Sequence, residues 1–129
     1  MTKKVAFLFP GQGSQAVGMG KDLYETSESA KQVFDTADEV LGKSITTMCF
    51  EGPEEALKQT VNTQPSIVTM SIAALEALKD KCEVIPSYVA GHSLGEYCAM
   101  YASGVMSLEN TLKAIQKRAD LMLSLIHIS

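Results

Sequence analysis

The chain has 129 residues, a formal charge of −4 and a pI near 5.1, and 46% of it is apolar. That length suits one domain, and that apolar content suits a packed core, which excludes a disordered chain. The 11 basic residues form no run in an acidic chain, so nucleic acid is not an expected partner, and no apolar stretch reaches membrane-spanning length, so neither is a membrane.

Lys3-Lys4 before Val5-Ala6-Phe7-Leu8-Phe9 imitates the opening of a signal peptide, but the apolar run is too short and Pro10-Gly11 ends it. Val5 to Phe9 lacks polar alternation, which predicts a strand buried on both faces, as in a parallel sheet. The loop Pro10-Gly11-Gln12-Gly13-Ser14-Gln15 follows. A helix is predicted over 28–41, with Ala30, Val33, Phe34, Ala37 and Leu41 on one face and Gly42 as its stop. A short helix follows Gly52-Pro53, with Glu54 and Glu55 at its positive end. Pro65 is placed in the first turn of a longer helix whose buried stripe is Val68, Ser71, Ile72, Leu75 and Leu78.

Tyr88-Val89-Ala90 reads as a short buried strand, and Leu94 to Ala102 as a helix closed by Gly104. Ser107 caps a last helix with Glu109 in its first turn; Leu108, Leu112, Ile115, Ala119 and Met122 share its apolar face, with Arg118 at the margin. Strands separated by helices imply an α/β fold with a parallel sheet. Residues 123–129 crowd apolar side chains without a cap or a closing period and are expected to be a non-native tail. Cys49, Cys82 and Cys98 are odd in number and widely spaced, which predicts neither a disulfide framework nor a metal site and makes a reducing cytoplasm the simplest home.

Between the short strand and its helix lies Gly91-His92-Ser93-Leu94-Gly95, which fits Gly-x-Ser-x-Gly, the nucleophile elbow of serine acyl-transfer enzymes. Such an elbow holds one residue in a strained state at a sharp strand-to-helix turn. Its flanking positions must be glycine, because a Cβ would collide with a neighbouring strand or helix. The serine then projects its hydroxyl where the helix aims unpaired N–H groups, the donors an oxyanion needs. The pentapeptide occurs by chance often enough that its strand–turn–helix context is what gives it weight.

Three stretches together resemble malonyl-CoA:acyl carrier protein transacylases and the acyltransferase domains of fatty-acid and polyketide synthases. They are Phe9-Pro10-Gly11-Gln12-Gly13-Ser14-Gln15, Thr63-Gln64-Pro65, and Gly91-His92-Ser93-Leu94-Gly95-Glu96-Tyr97. The resemblance covers residues 1–122. It implies the N-terminal part of an α/β-hydrolase-like subdomain, without the family's ferredoxin-like subdomain. It implies malonyl-CoA as substrate, no bound cofactor or metal, acyl carrier protein as partner, a role in fatty acid biosynthesis, and the monomeric state common in the family. It makes Ser93 the nucleophile, the backbone N–H groups of Gln12 and Leu94 the oxyanion hole, and Arg118 the partner of the malonyl carboxylate, with Gln64 and His92 lining the pocket. Leu94 stands where malonyl-selective members carry leucine.

Taken without the resemblance, Arg118 reads as a solvated helix residue, although its planar fork of donors suits a carboxylate. His92 adjoins Ser93, so their side chains diverge and His92 reads as a hydrogen-bonded supporting residue. Glu96 is a first-turn acid, and Tyr97 and Tyr101 are core or pocket wall. The family's general base is a histidine about a hundred residues beyond the serine. This chain holds only His92 and His127, so as given it is expected to be inactive. The start at Met1, directly before the first strand, favours a free enzyme over a synthase domain.

Three rivals compete. Gly11-Gln12-Gly13-Ser14-Gln15-Ala16 fits the G-x-G-x-x-A dinucleotide fingerprint, but the acidic residues near the required distance, Asp35 and Asp38, fall in a helical pattern. A generic α/β-hydrolase esterase or thioesterase shares the elbow but has no use for Arg118. A non-catalytic scaffold is supported only by the missing histidine.

Overall fold

The computed structural model describes the backbone of residues 4–128 and the side chains of residues 4–125. Two strands, β1 (Ala6–Phe9) and β2 (Tyr88–Gly91), pair in parallel, with Phe7 opposite Val89 and Phe9 opposite Gly91. Between them run α1 (Lys21–Thr26), α2 (Glu28–Leu41), α3 (Ile45–Glu51), α4 (Glu54–Leu57) and α5 (Thr60–Lys81); α6 (Gly95–Ala102) and α7 (Leu108–Ile128) follow β2. This is an α/β fold with a small parallel sheet and a helical core in which α2, α6 and α7 pack on α5.

The periodic segments fold as read. Helix α2 has the predicted bounds, buries Ala30, Val33, Phe34 and Ala37, and ends on Gly42 at φ 65°. The Ser107 hydroxyl accepts a hydrogen bond from the Asn110 N–H at the start of α7, which buries Leu112, Ile115 and Ala119. Two helices were not anticipated. Short α1 buries no residue, and α3 is capped by Ser44, whose side chain accepts from the Thr47 N–H. Helix α7 continues through residue 128 although the pattern after Met122 offers no closing period. Within the suspected tail, the side chains of 126–128 and all of Ser129 lie outside the described residues.

Three expectations need correcting. First, β1 is not buried on both faces: Phe9 is buried and Phe7 faces the core, but Leu8 is 76% exposed. The helices cover one side of the two-stranded sheet, so alternate residues of a uniformly apolar strand point outward. Tyr88 and Ala90 share that outer face on β2. Second, Leu78 is exposed, on the open cleft between β1 and α5.

Third, α5 begins at Thr60, so Pro65 lies inside it. A proline in a helix interior removes the hydrogen bond to the carbonyl four residues back, here Val61, and costs about 3 kcal/mol. Two distant side chains serve that carbonyl instead: Lys43 Nζ donates to Val61 O at 2.9 Å and Gln116 Nε2 at 3.0 Å. The first turn of α5 is also tied to α4, because the Thr63 hydroxyl donates to the Leu57 carbonyl and Asn62 Nδ2 to Ala56 O.

The three cysteines are free; Cys49 and Cys98 are buried and Cys82 is exposed. Burial pushes the Cys49 thiol up to about 11 and the Cys98 thiol up to about 12. Only thiolates react, so at pH 8 these two stay protonated and shielded. A maleimide is expected to add once, at Cys82, to the native chain and three times after denaturation. Three rapid adducts on the native chain would contradict this burial.

Candidate active site

Ser93 is the one non-glycine residue with positive φ among the described residues, at 57°. The left-handed state costs a residue with a Cβ roughly 1 kcal/mol, and such strain persists only where the surroundings fix it. Here the surroundings are tight. The His92 N–H donates to Phe9 O at the end of β1, and the Gly95 N–H returns to His92 O. A Cβ on Gly91 would lie 2.0 Å from the Gly95 carbonyl carbon, and one on Gly95 would lie 2.4 Å from Phe9 O. Both glycines are therefore required by close approach of backbone to backbone, Gly91 against α6 and Gly95 against β1. Gly11 is constrained in the same way, because its Cβ would meet His92 O at 2.6 Å. The Pro10–Gln15 loop is thereby pressed against the elbow.

The exposed Ser93 hydroxyl accepts a hydrogen bond from Arg118 Nη2 at 3.1 Å. Arg118 Nη1 donates to Gln64 Oε1 at 2.7 Å, and its guanidinium carbon lies 6.0 Å from the Tyr97 ring centre. Gln64 is fully buried, with its Nε2 donating to Thr60 Oγ1 at 2.8 Å and to Met122 Sδ. The amide is thus engaged at both ends, and its oxygen is the end that faces Arg118. A chain of hydrogen bonds runs from Thr60 through Gln64 and Arg118 to Ser93, joining α5, α7 and the elbow.

Of the residues singled out in the sequence, the structure brings Ser93, Arg118 and Gln64 together. Gln12 is exposed in the loop beside the elbow, and Leu94 buries its side chain at the start of α6. Among the described residues, neither the Gln12 nor the Leu94 backbone N–H has a hydrogen-bond partner. His92 is exposed, with its Nδ1 turned towards Gly11 and no hydrogen bond to Ser93. Glu96 occupies the first turn of α6. Thr60 was missed. It stands four residues before Gln64, the spacing of neighbours on one helix face, but that relation is invisible when the helix is started at Pro65.

The glycine loop does not build a dinucleotide site. Residues 12–13 and 17–20 form turns, and the next helix begins only at Lys21. Asp35 and Asp38 lie inside α2, where Asp35 pairs with Lys31 and accepts from the Tyr24 hydroxyl. An apolar cleft of about 480 Å³ between β1 and α5, lined by Leu8, Met70 and Leu78 among others, includes neither Ser93 nor Arg118. No group of three or more potential metal ligands occurs among the described residues, and no helix there is long and apolar enough to cross a membrane.

Residues 6–127 match the acyl transferase domain family. The chain is 49% identical over 119 residues to the malonyl CoA-acyl carrier protein transacylase of Bacillus subtilis (strain 168), a match covering 92% of this chain and 37% of that protein. The crystal structure of the Clostridium perfringens malonyl CoA-acyl carrier protein transacylase superposes with a TM-score of 0.87 at 43% identity, covering 93% of this chain and 38% of the other. A malonyl-transacylase in complex with its type II PKS acyl-carrier protein superposes with a TM-score of 0.90 at 38% identity, covering 95% and 40%. The chain thus spans less than half the length of these relatives. With an elbow serine, an arginine fork on its hydroxyl and a match over nearly its whole length, the chain belongs to the acyl transferase domain family.

Proposed function

We propose that the protein carrying this segment moves a malonyl group from malonyl-CoA to the phosphopantetheine thiol of an acyl carrier protein, through an ester on Ser93, in cytoplasmic fatty acid biosynthesis. The observation that carries this reading is the Arg118 guanidinium, held between Ser93 Oγ and the buried Gln64 amide. A guanidinium has more donors than these two acceptors use, arranged in a plane that matches a carboxylate. Placed beside the nucleophile, it can bind the free carboxylate of a malonyl group while the thioester carbonyl lies over Ser93. The names of the matched relatives specify the same donor and acceptor.

In this mechanism Ser93 Oγ attacks the thioester carbonyl, and its proton passes to a base, by family resemblance a histidine beyond this chain. The unengaged N–H groups of Leu94 and Gln12 receive the oxyanion, and the C–S bond breaks to release coenzyme A as the thiol. The carrier thiol then attacks the serine ester, and the proton returns to Ser93. Each oxyanion donor of this kind typically contributes about 3 kcal/mol. An esterase acting on simple acyl groups would leave Arg118 without a substrate partner.

Mass spectrometry of the full-length protein mixed with malonyl-CoA is expected to find a malonyl adduct on the peptide carrying Ser93. It should be absent from Ser93→Ala. An adduct that persists in that variant would overturn the assignment of the nucleophile.

A further inference from the structure

Pro65, buried inside α5, creates a defect next to the site, and its repair is made from outside the helix. Val61 O lacks its intrahelical partner because residue 65 has no N–H, and Lys43 and Gln116 both donate to it. Lys43 also donates to Asn62 Oδ1 at 3.2 Å, so one ammonium spans two consecutive residues of that turn. Burial pushes the Lys43 ammonium below the usual lysine range, opposed by the charge of Asp120. The amine is held, partly buried, against the carbonyl it serves. Gln116 carries an independent sign of the same demand. Its Nε2 faces two acceptors, Val61 O and Asp120 Oδ1, while its Oε1 is left buried without a partner. Gln64 sits in the turn so held, between Val61 and Pro65, and its amide is what fixes one arm of Arg118.

We propose that Lys43 is a positioning residue of the site, which supplies the hydrogen bond that Pro65 cannot make and so holds Gln64 and the Arg118 fork in register with Ser93. It touches neither the substrate nor the serine. The proposal rests on Arg118 reading the acyl carboxylate, and it requires the defect at Val61 to be what makes Lys43 necessary.

The test is a double-mutant cycle in the full-length protein, with malonyl-CoA and acetyl-CoA as alternative donors. Lys43→Met is expected to raise the malonyl-CoA KM about fivefold, the scale of one lost hydrogen bond, with acetyl transfer unchanged. Lys43→Arg, which restores a donor, is expected to recover most of the loss. Pro65→Ala returns an N–H to the helix, so Lys43→Met added to Pro65→Ala should cost little more than Pro65→Ala alone. If Lys43→Met fails to fold, Gln116→Leu removes the other donor and should show the same suppression by Pro65→Ala. Equal effects of Lys43→Met with and without Pro65→Ala would overturn the proposal, as would equal losses for both donors. Failure of the underlying reading would appear separately, as an Arg118→Ala variant that does not distinguish malonyl from acetyl.

Discussion

Replacing Arg118 with alanine is expected to cut malonyl transfer by the full-length protein at least tenfold, while acetyl transfer falls less or rises. The guanidinium is partly buried, engaged by Gln64 and Ser93 and placed near the Tyr97 ring, so its orientation is set before any substrate arrives. A charge-assisted pair formed there is worth on the order of 2 kcal/mol or more, and each factor of ten in rate corresponds to about 1.4 kcal/mol. Acetyl has no carboxylate to lose, and Arg118→Ala relieves it of leaving a partly buried cation without a carboxylate. Arg118→Lys should recover little, since an ammonium lacks the planar fork that reaches Gln64 and Ser93 and still meets a carboxylate bidentately. Steady-state kinetics with the two donors check this. Equal losses for both would make Arg118 a structural residue, whose hydrogen bond to Ser93 serves the elbow and not the substrate.

How far the site could be read from residue order depends on how far away its causes lie. The elbow was legible because its constraints are local: Gly91, Ser93 and Gly95 stand within five residues, and the collisions that forbid a Cβ involve the strand end and helix start they connect. Helix α2 was legible to the residue because one face is continuously apolar and Gly42 stops it. The start of α5 was not. A proline ordinarily marks a first turn, and what permits it inside the helix is a lysine 18 residues before Val61 and a glutamine 55 residues after it. That error also hid the Thr60–Gln64 pair. The burial of β1 was misjudged for a different reason. A uniformly apolar run states that a strand can be covered on both faces, not that both are covered, and here Leu8 and Tyr88 face outward. Apart from the family resemblance, Arg118 looked like a solvated helix residue until the elbow and Gln64 were set beside it in space.

The 129-residue chain by itself is expected to transfer no malonyl group to a carrier protein above the rate of its Ser93→Ala variant. A serine hydroxyl is a weak nucleophile until an adjacent base takes its proton. The group that meets Ser93 Oγ here is Arg118, a donor that cannot act as a base near neutral pH. His92 is the nearest residue in sequence that could, but its Nδ1 is turned to the Gly11 side of the elbow, within 2.9 Å of where a Cβ on that glycine would sit. Losing the base from a catalytic triad typically lowers turnover by about four to six orders of magnitude. The arginine and the helix start would remain and still favour binding, so malonyl-CoA can be held without being cleaved efficiently. The outer face of the sheet adds a physical handicap, because Leu8 and Tyr88 there, and Ile85 in the segment before β2, are largely exposed and a two-stranded sheet has open edges. The purified chain should therefore bind a hydrophobic dye and lose solubility on warming. Radiolabelled malonyl transfer, measured beside the Ser93→Ala variant, decides the main point. Turnover well above that variant, abolished by His92→Asn, would place the base at His92 and remove the need for any histidine outside these residues.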